Sequence, residues 1–290
     1  MLYHLRNTGA VVLGTLLSAC TGLALQTINL PSRVAADLRA QPGLEYGDQA
    51  HQKLDLYLPA PGVTPRRQLV VFVYGGAWTT GSRGDYFFVA ETLTAAGYAV
   101  AIPDYIKYPH GVFPAFVQDV AQSVGWLADN APDYFDFDDF VLIGHSAGAH
   151  TAALLITDNR YLRNQGVAPT RIAAFIGLAG PYGFRPEEKK YRDIFANLDD
   201  FDRMRPLHFA DGDEPPMLLL HGDDDNTVLP VNTRRFAARV NDGGGRAEAR
   251  FYPGVGHIAP VLALSRAPLR NAGIRADILD FLQREFPGAG

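Results

Sequence analysis

The chain of 290 residues contains a single cysteine, Cys20. That scarcity excludes an intramolecular disulfide and any metal cluster built on cysteine. Positive charge is also short, with 26 Lys and Arg against 31 Asp and Glu and a net charge of -5. No basic stripe is available to neutralise phosphates, so nucleic acid is not an expected partner. No internal repeat, low-complexity tract, dinucleotide fingerprint or glycine-rich phosphate loop rises above chance. Asp133, Asp136, Asp138 and Asp139 lack the glycine and terminal glutamate of a calcium loop and read as turn and cap residues. His221 has no second histidine at ligand spacing and reads as structural. Neither metal nor cofactor is expected.

What the chain has is 47% hydrophobic content with 20% charged residues, ordinary for one large α/β domain. After a stretch holding Pro31 and Pro42, Leu54 to Leu58 alternates apolar and polar residues and predicts an edge strand. The continuous apolar run Leu69 to Tyr74 predicts a central strand covered on both faces, and Asp139 to Ile143 predicts a further strand. Further strands are expected at Tyr98 to Ile102, Ile172 to Leu178, Met217 to Leu220 and Glu248 to Tyr252. Helices are expected at Tyr86 to Ala96, Phe116 to Asp129, Ala147 to Ile156, Thr233 to Val240 and Arg275 to Phe286. The alternation implies a mostly parallel sheet with helices on both faces. Residues 180–215 interrupt it with charge (Glu187 to Lys190) and aromatics (Tyr182, Phe184, Tyr191, Phe195). This cap-like insertion reads equally as a lid or as a helical excursion packed on the surface.

The strand Phe140 to Ile143 runs into Gly144-His145-Ser146-Ala147-Gly148 and then into an alanine-rich helical stretch. A G-x-S-x-G between strand and helix is the setting of a nucleophile elbow, with the serine exposed at the top of the sheet. A serine hydroxyl is a poor nucleophile unless a base, itself oriented by an acid, lies within hydrogen-bond reach. His257, after the last strand and flanked by Gly254 and Gly256, is the candidate base. The acid should follow the strand Met217 to Leu220, where Asp223, Asp224 and Asp225 are available. Asp225 is preferred, because Asp223 is closer to the strand end and would face the turn. Charge on the substrate oxygen requires backbone N–H donors, and these are assigned to Gly76, Ala77 and Ala147.

On these residues the chain resembles the α/β-hydrolase superfamily, and within it carboxylesterases akin to hormone-sensitive lipase, kynurenine formamidase and isoprenylcysteine methylesterase. The resemblance runs from about Leu54 to Phe286. It rests on Gly75-Gly76-Ala77-Trp78, Pro103-Asp104-Tyr105, Phe113-Pro114-Ala115-Phe116 with Asp119, the elbow, Leu178 to Tyr182, and the Asp225 and His257 segments. It implies a serine esterase acting on short- to medium-chain acyl esters, a small-molecule substrate and no cofactor. An amide, formamide or acetylated-glycan substrate, an acyltransferase, and a non-catalytic binding protein on the same fold stay open. Two departures stand out: Tyr74 replaces the usual histidine of the oxyanion loop, and Ile106 follows Tyr105 where arginine is common. Trp78, Tyr105, Tyr182 and Phe184 are candidate pocket walls.

Near the start, His4 and Arg6 precede a mostly apolar stretch ending in Leu17-Ser18-Ala19-Cys20. The tetrapeptide resembles the lipobox of bacterial lipoproteins, which implies a signal peptide over 1–19 and lipidation of Cys20. A tether over 20–48 would then join the hydrolase domain, 49–290, to the membrane of the bacterial cell envelope. An uncleaved membrane helix is the competing reading.

Overall fold

The computed structural model describes residues 27–196, 198, 200–266 and 272–287. Eight strands form one sheet in the order β1-β2-β4-β3-β5-β6-β7-β8. They are β1 (Leu38–Glu45), β2 (Lys53–Pro59), β3 (Gln68–Val73), β4 (Ala99–Pro103), β5 (Asp139–His145), β6 (Ile172–Leu178), β7 (Met217–Gly222) and β8 (Ala247–Tyr252). The pairs β1/β2 and β2/β4 are antiparallel, and every other pair is parallel. The main helices are α1 (Phe87–Ala95), α2 (Ala115–Asn130), α3 (Ala147–Thr157), α4 (Val231–Asp242) and α5 (Ala272–Glu285). This is the mostly parallel, helix-flanked sheet that the alternation of elements predicts.

Burial explains each element. Leu69 to Val73 in β3 and Phe140 to Ile143 in β5 are wholly buried, as strands covered on both faces must be. In α2, Val117, Val120, Ala121, Val124 and Leu127 face the core while Gln118 and Asp129 stay exposed. In α4 the buried set Thr233, Phe236, Ala237 and Val240 repeats at helical spacing, and the helix stops at Gly243.

Two expectations are corrected at the start of the sheet. Leu54 to Leu58 is not an edge strand, because β2 lies between β1 and β4. Its polar residue Asp55 is buried, accepting hydrogen bonds from Arg83 Nε and Gly43 N–H, both at 2.8 Å. The edge belongs to β1, inside the segment 20–48 expected to be a tether. That strand is mostly exposed and its register shifts between Gln41 and Leu44, so it carries no apolar alternation to read. Residues 27–35 are helical and also dock on the domain, with Asn29 Nδ2 donating to Asp85 O at 2.8 Å. Cys20 and the expected signal peptide lie outside the described residues.

Among its described residues the 180–215 insertion holds three short helical segments, Lys189–Ile194, Phe201–Met204 and Pro206–Phe209. Ile194, Phe195 and Met204 are buried. The Met204 carbonyl accepts from His150 Nε2 at 2.7 Å, and the Ile194 carbonyl from Phe113 N–H at 3.0 Å.

Candidate active site

The carboxyl ends of β3, β5, β7 and β8 converge on one edge of the sheet, where open α/β sheets place ligands. At the end of β5, Ser146 has φ 55 and ψ -122, a conformation costly for any residue with a Cβ. Its N–H donates to Leu178 O at 2.9 Å, which holds the turn. The glycines of the pentapeptide are dictated by space: a Cβ on Gly148 would lie 2.1 Å from Val73 O, and one on Gly144 2.5 Å from Ala149 Cα. The motif is therefore the contact surface between β3, β5 and α3, and the serine is what that contact exposes.

His257 Nε2 lies 2.8 Å from Ser146 Oγ, and His257 Nδ1 lies 2.7 Å from Asp225 Oδ2. The three side chains predicted from the sequence thus form one unbroken hydrogen-bonded chain. The other carboxylate oxygen, Oδ1, accepts the N–H groups of Thr227 and Val228, both at 2.9 Å. His221 adds a further partner, its Nε2 being 3.2 Å from Asp225 Oδ2 and 2.8 Å from Val228 O. A carbonyl only accepts, so Nε2 carries the proton of His221, and Thr233 Oγ1 donates to Nδ1 at 2.7 Å. Burial alone would raise the Asp225 carboxyl, but bonds from His221, His257 and Val228 outweigh it and hold it well below the usual carboxylate range. Asp225 is an anion aimed at His257, while Asp223 faces Arg234 at 3.1 Å.

Sequence reasoning missed His145. It is buried, and its Nε2–H donates to the His257 carbonyl at 3.1 Å, pinning the loop that carries the imidazole. Burial, and then the neighbouring His257 ring, lower its pKa to about 3, so it is neutral. The residue between glycine and serine in the motif was the available signal, though its identity alone does not reveal the partner.

The loop expected to hold the oxyanion donors leaves β3 through Tyr74. Gly76 has φ 130, and Ala77 and Trp78 have φ 51 and 57. All three φ are positive, a conformation that is strained for Ala77 and Trp78. The N–H groups of Gly76, Ala77 and Ala147 donate to no described residue. Tyr74 is buried and its phenol donates to Asp104 Oδ1 at 2.6 Å, while Tyr105 OH donates to the Tyr74 carbonyl at 2.9 Å. Asp104 also pairs with the Arg83 guanidinium and accepts Arg83 N–H at 2.9 Å. Lys107 Nζ sits 5.2 and 5.0 Å from the Tyr74 and Tyr105 ring centres, and burial lowers its pKa.

A cavity of about 240 Å³ opens beside the serine, lined by Ser146, Ala77, Ala147, Trp78, Phe184 and Tyr191 together with Pro181, Thr227 to Leu229 and Asn232. Of the four aromatics expected to wall a pocket, Trp78 and Phe184 line this cavity and Tyr105 and Tyr182 do not. Tyr105 is buried and stacked on Tyr74 with ring centres 4.8 Å apart, and Tyr182 is buried and stacked on Phe236 at 4.5 Å. Both aromatics serve the core behind the site, and Tyr191, noted in the sequence only as an aromatic of the insertion, takes a place in the wall.

A sheet of this order, with serine, imidazole and carboxylate on loops at one edge, defines an α/β-hydrolase. The BD-FAE family model matches residues 54–240, and the chain belongs to that family. Among curated proteins, it is 30% identical to "Isoprenylcysteine alpha-carbonyl methylesterase ICME" of Arabidopsis thaliana, over 73% of this chain and 55% of that one. It is 27% identical to "Esterase LipQ" of Mycobacterium tuberculosis strain ATCC 25618 / H37Rv, over 82% of this chain and 61% of that one. The chain therefore spans little more than half the length of these relatives. In structure it is similar to Esterase B of Lactobacillus rhamnosis inhibited by a tributyrin phosphonate, with a TM-score of 0.80, 21% identity and coverage of 97% and 96% of the two chains. A truncated carbohydrate esterase from gut microbiota gives a TM-score of 0.76 at 20% identity, covering 88% of this chain and 99% of that one. At such identities these two likenesses speak for the fold.

Proposed function

We propose that the protein is a serine carboxylesterase hydrolysing short- to medium-chain acyl esters through an acyl-enzyme. The observation that carries this reading is the chain Ser146–His257–Asp225, with contacts of 2.8 and 2.7 Å, while the amides of Gly76, Ala77 and Ala147 donate to no described residue. Ser146 Oγ attacks the ester carbonyl while His257 Nε2 accepts its proton, and Asp225 stabilises the resulting imidazolium. The tetrahedral oxyanion is met by the amides of Gly76, Ala77 and Ala147, each worth about 3 to 4 kcal/mol of transition-state stabilisation. Collapse breaks the bond to the alcohol oxygen, which leaves with the proton from His257. Water, deprotonated by the same imidazole, then attacks the acyl-enzyme and releases the carboxylic acid and Ser146. The esterases among the relatives support the same chemistry.

The test is turnover of p-nitrophenyl acetate and butyrate by the domain with and without Ser146→Ala. Loss of about 10⁶-fold in kcat is expected, and turnover untouched by the substitution would refute the mechanism. We further infer that Cys20 carries a lipid anchor, which the Leu17-Ser18-Ala19-Cys20 sequence supports. Stable attachment requires more than one acyl chain. Cys20→Ala should move the full chain from the membrane to the soluble fraction, and unchanged membrane association would reject lipidation.

A further inference from the structure

The two sides of Ser146 Oγ differ in what faces them. A leaving alcohol takes its proton from His257 Nε2, so it departs on the side of that ring. The cavity beside Ser146 touches the nucleophile, Ala77 and Ala147, but His257 does not line it. A group bound there sits across the carbonyl carbon from the leaving oxygen. On the imidazole side the chain is open instead, with Gly254 exposed and Ile258 43% exposed.

We propose that this cavity receives the acyl group and that Phe184 and Tyr191, both from the 180–215 insertion, set the acyl length accepted. The inference rests on the serine esterase reading above. At about 240 Å³ the space is smaller than the pockets that hold drug-sized ligands, which begin at about 300 Å³. Trp78 closes it on the side of the oxyanion loop and is 2% exposed. Phe184 stacks on Trp78 with ring centres 5.7 Å apart at 17°, and Tyr191 stands edge-on to both, at 6.4 and 5.7 Å. The three rings form a corner against which a chain must stop. The position of Phe184 is held from across the cavity, because Asn232 Oδ1 accepts Gly183 N–H at 3.1 Å and Asn232 Nδ2 donates to Leu229 O at 3.1 Å. The amide oxygen joins the two walls, and the amide nitrogen fixes Asn232 to its own loop. Phe184 itself is only half-buried, so shortening it lengthens the cavity toward solvent.

The experiment compares kcat/KM over two ester series: p-nitrophenyl acetate, butyrate, hexanoate and octanoate, and butyrates of methanol, phenol and 1-naphthol. Because one methylene in an apolar pocket changes kcat/KM by ~10- to 200-fold, the parent protein should fall steeply from butyrate to octanoate. Phe184→Ala should raise the octanoate/butyrate ratio by at least about tenfold, with Phe184→Leu between, and both should leave the alcohol ratios in place. Phe184→Leu keeps apolar bulk against Trp78 and Tyr191 and serves if the alanine variant does not fold. An acyl profile unmoved in the folded variants, or a shift in the alcohol series instead, would overturn the assignment. Ser146→Ala run beside them separates the failures: turnover surviving it sinks the serine esterase reading, whereas turnover abolished by it with an unmoved acyl profile sinks the acyl-pocket inference alone.

Discussion

The two walls of the cleft are built by different means. On the side of β5, β7 and β8, polar groups are tied to the main chain: Asp225 accepts two backbone N–H groups, and His145 holds the His257 carbonyl. On the side of the insertion, Phe184, Tyr191 and Phe195 lean on one another and on Trp78. A hydrogen bond weakens steeply when its geometry slips, whereas ring contacts are favourable over a broad range of offsets and tilts. The first wall can fix a proton path, and the second can change volume without disturbing it. Reactivity and selectivity are therefore separable in this molecule, and substitutions on the two walls should divide accordingly.

The largest effect expected on the polar wall is that of Asp225→Asn. The amide nitrogen would present a donor to His257 Nδ1, which forces the proton of the neutral ring onto Nε2 and removes the acceptor for Ser146. A fall of about 10⁴-fold in kcat follows from the wrong tautomer. Burst and steady-state kinetics with p-nitrophenyl butyrate, alongside circular dichroism of the fold, measure it. A loss below about tenfold would mean that the carboxylate does not organise this wall, and the contrast with the aromatic wall would collapse.

A smaller effect tests whether the walls are stable together. His145, in the polar wall, and His150, edge-on to Trp78 at 5.2 Å in the aromatic one, are both fully buried. Burial lowers each from 6.5 to about 3, with the His257 ring assisting at His145. The folded pKa lies below the unfolded one, so between these values the unfolded chain binds more protons. Stability present above pH 6.5 is thus lost as pH falls toward 3. By pH 5 each histidine should cost about 2 kcal/mol, read from urea midpoints at pH 7 and pH 5. His150→Gln retains a donor for Met204 O and removes one titrating group, so it should halve the acid loss. An acid loss identical to that of the parent protein would show that the insertion opens before the sheet does.

Much of the fold was legible because buried parallel strands leave a plain record. Runs such as Leu69 to Val73 and Met217 to Leu220 are apolar on both faces and have no alternative use. The first strand was not legible, since Gln41-Pro42-Gly43 breaks it and most of its residues face solvent. At the site, Ser146, Asp225 and His257 could be read because each follows a strand end by a short, sterically constrained turn. The pocket could not. Tyr105 and Tyr182 are next to motif residues in sequence, but adjacency does not say which way a side chain leaves the sheet edge, and both turn inward. Tyr191 was hidden beside the charged run Glu187 to Lys190, where only tertiary packing brings it back to Trp78.

Tyr74, buried at the end of β3 behind both walls, is held by side chains, and it sharpens the contrast with the smallest expected change. Its phenol donates to Asp104, which keeps Arg83 N–H and the Arg83 guanidinium when the hydroxyl is removed. The ring itself is held on both sides, stacked between Tyr86 and Tyr105 with centres 5.4 and 4.8 Å away. Tyr74→Phe preserves that stack and deletes one hydrogen bond to a charged acceptor, which places the loss at about 1.5 to 3 kcal/mol of stability. The Gly76 and Ala77 amides are fixed by the backbone beyond residue 74, so kcat should fall no more than about tenfold with KM unchanged. If kcat instead drops by about 10²-fold or more, as when an oxyanion donor is lost, the phenol positions the amides directly. The support of that loop would then be a side-chain network as exacting as the bonds around Asp225.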